Sequence, residues 1–289
     1  MLLMIMILAA GCQSLEGFDT VSFRIGTYCL KPLSEEMTIE QAGNIDKYQI
    51  DLIAFQGVDR YTCRTDFDMS AVLQTEQYPH AFFSKVMDYS YGDYGMMTMS
   101  RYALKEQEEI PLYSAESADR ETEEDFLALY AVMDYSDPDK MAERERLKRA
   151  GAVEPRLVQH CIVEKEGVCI SFYNIILSHE SQQLRSAQMK QLKQILDDDP
   201  HEYKVMAGNF NNVQTTQEME LFMEDYTVIN GSYGKWMKTY PVDDDEDMHI
   251  YSIDNIICSP NITLKRAMTA PENIADHNLF FADLEIERD

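Results

Sequence analysis

Basic side chains are scarce: 25 Lys and Arg stand against 51 Asp and Glu in 289 residues, a formal net charge of -26. That much negative charge repels a phosphate backbone at long range, so nucleic acid is not an expected partner. Metal-binding Cys spacing is missing too. There is no Cys-x-x-Cys and no close Cys/His pairing, which argues against a structural zinc site. Internal repeats are absent. What remains is an ordinary globular composition, 45% apolar and 26% charged, with enough length to bury a large core.

Short runs rich in Val, Ile, Phe and Tyr, bounded by turn residues, predict strands. They fall at Val21 to Cys29, Leu52 to Gln56, His80 to Lys85, Met96 to Ser100, Val158 to Val163, Val168 to Ile176, Lys204 to Ala207, Ile253 to Cys258 and Leu279 to Glu285. Helices alternate with them. The clearest is Ser181 to Leu196, where Leu184, Ala187, Gln188, Gln191, Leu192 and Ile195 keep the three-to-four spacing of one face. Others are expected near Ile39 to Lys47 and over Thr215 to Met223. The alternation predicts an α/β protein.

The segment from Pro111 to Glu154 reads as a charged insertion. Asp137-Pro138 starts a helix there that runs to Gly151 and carries Arg144, Arg146, Lys148 and Arg149 among Glu143 and Glu145. Ion pairs on a helix surface account for that cluster, with a phosphate-binding lid as the alternative. The acidic run Asp243 to Asp247 reads as a flexible loop, with cation binding as the alternative. Cys161 and Cys169 flank a turn at Glu164 to Gly167, but Cys29, Cys63, Cys161, Cys169 and Cys258 are five thiols and cannot all pair. Buried free thiols are expected.

The first ten residues, Met1 to Ala10, are wholly apolar yet well short of the roughly 20 that cross a bilayer as a helix. Leu8-Ala9-Ala10-Gly11-Cys12 resembles the lipobox of bacterial lipoproteins, which implies cleavage before Cys12 and lipidation of its thiol. The expected location is then the bacterial cell envelope, periplasmic or at the outer-membrane surface, with the lipid on Cys12 as the membrane contact. Residues 1–12 form the signal and anchor, and residues 20–289 a single domain.

Seven further strings occur in an order that resembles the endonuclease/exonuclease/phosphatase family of metal-dependent phosphoesterases. They are Phe23 to Cys29, Asp51 to Asp59, Tyr94 to Arg101, Asn174 to His179, Ala207 to Asn211, Ser252 to Ile256 and Ala275 to His277. The resemblance implies two packed mixed β-sheets flanked by helices, a four-layer α/β/β/α sandwich. It also implies a site. In the family a Glu and an Asp hold a divalent cation that polarises the phosphoryl oxygen. Here the Glu position is Gly57, the water-positioning Asp is Asn209, the charge-stabilising His is Ile176 and the first-strand Asn is Cys29. Asp59 lies two residues beyond Gly57, too far along a strand for a short side chain to replace that Glu.

Asp254, Asp276, His277 and Asn211 survive. By the resemblance, Asp254 orients His277, Asp276 belongs to the metal site and Asn211 hydrogen-bonds the phosphate, while His179 and Arg156 contact an anion. The Asp254 and His277 pair either serves a ligand or ties the last strands together. The expected function is a phosphoesterase-like domain whose catalysis has degenerated, kept as a binding module for a small phosphorylated ligand or a protein partner, with no cofactor. The alternative is an active phosphoesterase that uses Mg²⁺ or Mn²⁺.

Overall fold

The computed structural model describes residues 19–31, 34–114, 118–212, 216–231, 237–240, 252–270, 275 and 277–288. The expected lipidation site Cys12, the acidic run 243–247 and Asp276 lie outside the described residues. Among those described, no helix is long and apolar enough to cross a membrane.

The chain builds two sheets. In the first, β1 (Thr20–Cys29), β2 (Leu52–Thr62), β3 (Thr65–Asp68), β4 (His80–Tyr89), β5 (Gly92–Ser100), β12 (Thr263–Ala270) and β13 (Leu279–Glu287) take the order β12-β13-β1-β2-β5-β4, with β3 paired to β2. In the second, β6 (Leu104–Leu112), β7 (Arg156–Lys165), β8 (Val168–Ile176), β9 (Tyr203–Asn209), β10 (Thr227–Val228) and β11 (Asp254–Cys258) run β10-β11-β9-β8-β7-β6. Each sheet has one parallel pair, β1 with β2 and β8 with β9. A parallel pair needs a crossover, and helices α1 (Glu35–Tyr48) and α5 (Gln182–Asp198) supply it.

Both crossover helices start on a serine. The Ser34 hydroxyl accepts from Met37 N and the Ser181 hydroxyl from Leu184 N, satisfying backbone donors that a first helical turn leaves open. On α5 the buried residues are Leu184, Gln188, Met189, Leu192 and Leu196, so the apolar face follows the spacing expected, turned slightly to admit Met189. Short α2 (Met69–Leu73) joins α1 outside the first sheet, and α6 (Gln217–Met223) joins α5 outside the second.

Alternate strand residues meet between the sheets. Phe23, Ile25, Leu52 and Ala54 of the first pack with Phe172, Val205, Ala207 and Ile256 of the second. The outer faces pack on the helices, giving the four layers the sequence implied.

The middle of this sandwich also holds a polar knot. Asn174 Oδ1 accepts from Gln56 Nε2 at 2.8 Å, and its amide donates to Gln159 Oε1 at 2.8 Å and to the Phe55 and Met97 carbonyls. Gln159 donates in turn to Ser84 Oγ and the Phe82 carbonyl. These side chains are fully buried, and they fix the lateral position of one sheet on the other.

Four strands went unforeseen: β3, β6, β10 and β12. The longer two, β6 and β12, are edges, and edge strands carry charge that breaks the apolar pattern. β6 reads Leu-Lys-Glu-Gln-Glu-Glu-Ile-Pro-Leu and includes Pro111, which an edge tolerates. β6 thus takes in Pro111 and Leu112, the first residues of the segment expected as a charged insertion. Two helices follow, α3 (Arg120–Ala131) and α4 (Pro138–Arg149), whose Phe126, Tyr130 and Leu147 pack on Met87 and Tyr89 of β4. The α4 basic residues are largely taken: Arg146 pairs with Glu143, Arg144 with Glu145 and the Tyr130 hydroxyl, and Lys148 with Glu180. Cys161 faces Phe172 and Cys169 faces Glu164 across the hairpin, so the two are not opposed. All five described cysteines are free, but only Cys29, Cys161 and Cys258 are buried as expected; Cys63 and Cys169 are exposed.

Candidate functional site

Parallel and antiparallel pairing brings several strand ends to one rim of the sandwich. β1, β8 and β9 end there, and β7, β11 and β13 begin there. In the second sheet Ile176, Asn209 and Asp254 are side by side in register, on the face that looks into the sandwich. Across from them Cys29 is the last residue of β1, level with Gln56 of β2.

The best-formed contact is between Asp254 and His277. His277 Nδ1 lies 2.6 Å from Asp254 Oδ2, and both residues are buried. The backbone N of Asp254 donates to Thr239 Oγ1, and the Tyr240 ring leans on the imidazole with centroids 4.9 Å apart. Cys29 is near enough for its sulfur to act on the charge of the ring, and that sulfur accepts from Asn209 Nδ2 at 3.7 Å. Burial opposes the charged ring, but the Cys29 sulfur and the Asp254 carboxylate outweigh it and push the His277 pKa up from 6.5 to about 11.

That shift has a sign that can be checked. A raised folded-state pKa stabilises the fold fully below the unfolded value near 6.5, and the benefit drains away as pH climbs toward 11. The stability advantage of the wild type over His277→Gln is therefore expected to be largest at pH 6 and to shrink steadily to pH 10, read as urea midpoints. An advantage that grows with pH contradicts the charged pair.

The positions of the expected metal ligands are differently used. Gly57 sits at φ 73°, where the pairing of β2 with β5 shifts register between Gln56 and Val58. The strand bulges there, so regular alternation does not relate Gly57 to Asp59. Asp59 is fully buried and committed elsewhere: its carboxylate takes two hydrogen bonds from Arg64, at 2.6 and 3.0 Å, and one from Thr62. Asn209 spends Oδ1 on Asn211 N and Nδ2 on Cys29. Ile176 packs with Met96 and Leu157 in a small apolar cluster.

A hard cation needs several oxygen ligands. The described residues offer it one carboxylate, Asp254, already bonded to His277, and no group of three His, Cys, Asp or Glu among them is arranged to hold a metal. The donor set among the described residues does not by itself fit Mg²⁺ or Mn²⁺.

Of the remaining expected residues, Asn211 is at φ 47° and turns Nδ2 to the Leu177 carbonyl at 2.7 Å. Arg156 is buried, with Nη2 3.0 Å from Glu154 Oε2, while its Nε and Nη1 find no hydrogen-bond partner among the described residues. Burial works against its charge, yet Glu154, Tyr94 and Glu180 hold its pKa above the ordinary value. His179 is exposed and acts on the same Glu154. The structure thus places Cys29, Asn209, Asp254 and His277 together, and Arg156 with Glu154 and His179 in a second group. Tyr94 stands within the fields of both Arg156 and Cys29.

Sequence reasoning treated Cys29 as an inert replacement and missed Tyr94, Glu154 and Tyr240. No local pattern signals Cys29, because its neighbour His277 comes from the other end of the chain.

No family model matches the sequence, and no curated protein matches it. Solved structures do match. An endonuclease/exonuclease/phosphatase from Beutenbergia cavernae superposes with a TM-score of 0.67 at 14% identity, covering 92% of this chain and 72% of its own. One from Bacteroides vulgatus gives 0.65 at 17% identity, over 92% of this chain and all of its own. The human nocturnin catalytic domain, solved with a bound sulfate anion, gives 0.59 at 15% identity over 92% and 96%.

Proposed function

Starting from the endonuclease/exonuclease/phosphatase fold, we propose that this chain is a domain of phosphoesterase type that has lost metal-assisted hydrolysis and binds a small phosphorylated ligand at its strand-end rim. One observation carries the reading. The positions of the two expected acidic ligands hold a glycine bent to positive φ and an amide engaged by Cys29 and Asn211, neither of which grips a hard cation. Arg156 supports the binding half: a buried guanidinium with two unpartnered nitrogens is suited to an oxyanion, and the nocturnin domain of this fold was solved with sulfate. Lipidation of Cys12 would hold the domain at the cell envelope.

The Asp254 and His277 pair favours the second reading, an active hydrolase that uses these two with Asp276 and Asn211. Assay of the full chain in detergent separates the two. Bis(4-nitrophenyl) phosphate and 4-nitrophenyl phosphate with Mg²⁺, Mn²⁺ or Ca²⁺ are expected to show no turnover above blank, while inorganic phosphate raises the melting temperature of the wild type and not of Arg156→Lys. Metal-dependent turnover that disappears in His277→Ala overturns the proposal. For the anchor, a radiolabelled fatty acid is expected in the wild type and not in Cys12→Ala.

A further inference from the structure

A cavity of about 440 Å³, a size that suits a small molecule, opens at the end of the sandwich opposite the rim, where β1 and β2 begin and β5 and β7 finish. Arg24 on its wall and Cys29 at the rim are five strand rises apart, about 16 Å. The rim site does not reach it. The walls carry Arg24, Arg101, Lys165 and Lys265 against Asp51, Asp283 and Glu285. Cations outnumber carboxylates there, although acids outnumber bases by 51 to 25 in the whole chain.

Three of the four cations are committed. Arg24 Nε lies 2.6 Å from Asp283 Oδ1, Lys165 Nζ lies 3.0 Å from Asp51 Oδ2 and 2.6 Å from the Ser22 carbonyl, and Lys265 meets Glu285 at 2.9 Å. Arg101 is the exception. No carboxylate among the described residues pairs with it: Nη2 donates to Gln77 Oε1 at 2.6 Å, the guanidinium lies 5.7 Å from the centre of the Tyr78 ring, and Nε is buried with no hydrogen-bond partner among them. A guanidinium is a planar fork of donors that matches a carboxylate, and this fork has an amide and an aromatic ring beside it but no anion.

We propose that this cavity binds a small hydroxylated monocarboxylate, of the sugar-acid kind, with its carboxylate on Arg101. The proposal does not rest on the phosphate-binding reading. Charge balance decides between anions: one carboxylate brings the walls to neutrality, whereas a phosphate dianion leaves a surplus negative charge among three carboxylates. The walls are fixed in advance. Lys165 and Asp51 hold each other with side chains only 15% and 11% exposed, so neither turns away to meet a ligand.

The body of the ligand meets polar groups as well. Gln49, which caps the C-terminus of α1, lines the cavity, and Lys265 and Glu285 keep donors and an oxygen beyond the one bond they share, all of which suit hydroxyls better than hydrocarbon. The net charge of -26 opposes any anion at long range, but charges more than about 8 Å away are largely screened at physiological salt, while a bound carboxylate touches Arg101 directly.

Sodium D-gluconate is the probe, on the full chain in detergent. Titration calorimetry is expected to give a Kd of about 1 mM, weakened about 10-fold in Arg101→Lys, which keeps the charge and loses the fork. Glucose, which has the hydroxyls without the carboxylate, gives no heat. A second measurement needs no variant to fold: at roughly 10 mM, gluconate slows phenylglyoxal modification of Arg101 in the wild type by about 10-fold, read by peptide mass mapping. Arg120, with its side chain 91% exposed, reacts at an unchanged rate. Inorganic phosphate does not protect Arg101. Equal rates at Arg101 with and without gluconate, equal protection by phosphate, or gluconate affinity unchanged in a folded Arg101→Lys overturns the proposal.

Discussion

Gly57→Glu is expected to destabilise the chain by about 3 kcal/mol rather than to rebuild a metal site. A Cβ at this position would lie 2.5 Å from the Leu30 carbonyl oxygen, well inside any real contact. Leu30 cannot easily retreat, because its own N–H donates to the Gln56 carbonyl at 2.8 Å. The φ of 73° adds the strain that any side chain meets in left-handed backbone. Gly57→Ala isolates the Cβ term and is expected to lose most of the same stability, measured by urea unfolding.

Adding Asn209→Asp and Ile176→His makes matters worse. The new carboxylate sits in register beside Asp254, and the new imidazole enters the apolar cluster of Met96 and Leu157 with no partner. The triple variant is therefore expected to show no Mg²⁺-dependent phosphodiesterase activity. If it folds as well as the wild type and hydrolyses bis(4-nitrophenyl) phosphate, the account of Gly57 is wrong.

Asn174→Ala is expected to cost about 3 to 5 kcal/mol, although Asn174 touches no candidate site residue directly. Its side chain gathers Gln56, Gln159, Thr98 and two backbone carbonyls at the sheet interface, all buried. Removing it costs Gln56 Nε2 and Gln159 Oε1 their 2.8 Å bonds in a dry core, leaving the first only Thr27 and the second only Thr98. Asn174→Leu separates causes: it refills the volume but not the hydrogen bonds, so it is expected to remain within about 1 kcal/mol of the alanine variant. Recovery of most of the lost stability by leucine would show that packing, not polarity, joins the sheets here.

The core strands were legible because each is a local apolar run, and the crossover helices because spacing and caps are written within a few residues. Ser34 and Ser181 are capping residues by their position alone, and Asp137-Pro138 opens α4 as expected. Edge strands such as β6 and β12 were hidden, since their exposed faces carry charge and only the neighbouring strand makes them strands. The first insertion helix was masked in the same way. Its acids look like loop, and Phe126 and Tyr130 become a buried face only once β4 is beside them.

The site divides along a similar line. Asp254, His277, Asn209 and Gly57 could be picked out as letters in ordered motifs, but what each does depends on neighbours the motifs do not contain. The sequence by itself determined the alternation of strands and helices that builds the layers, and that positions 57 and 209 carry no carboxylate. These follow from residue type and order along the chain. Only the tertiary structure decided that Gly57 is locked against Leu30, that Asp59 belongs to Arg64, and that Asn209 turns its amide to Cys29 beside the Asp254 and His277 pair. Those facts depend on register and on loops folding back over a rim, and distances of a few ångströms between remote segments leave no periodic trace in sequence.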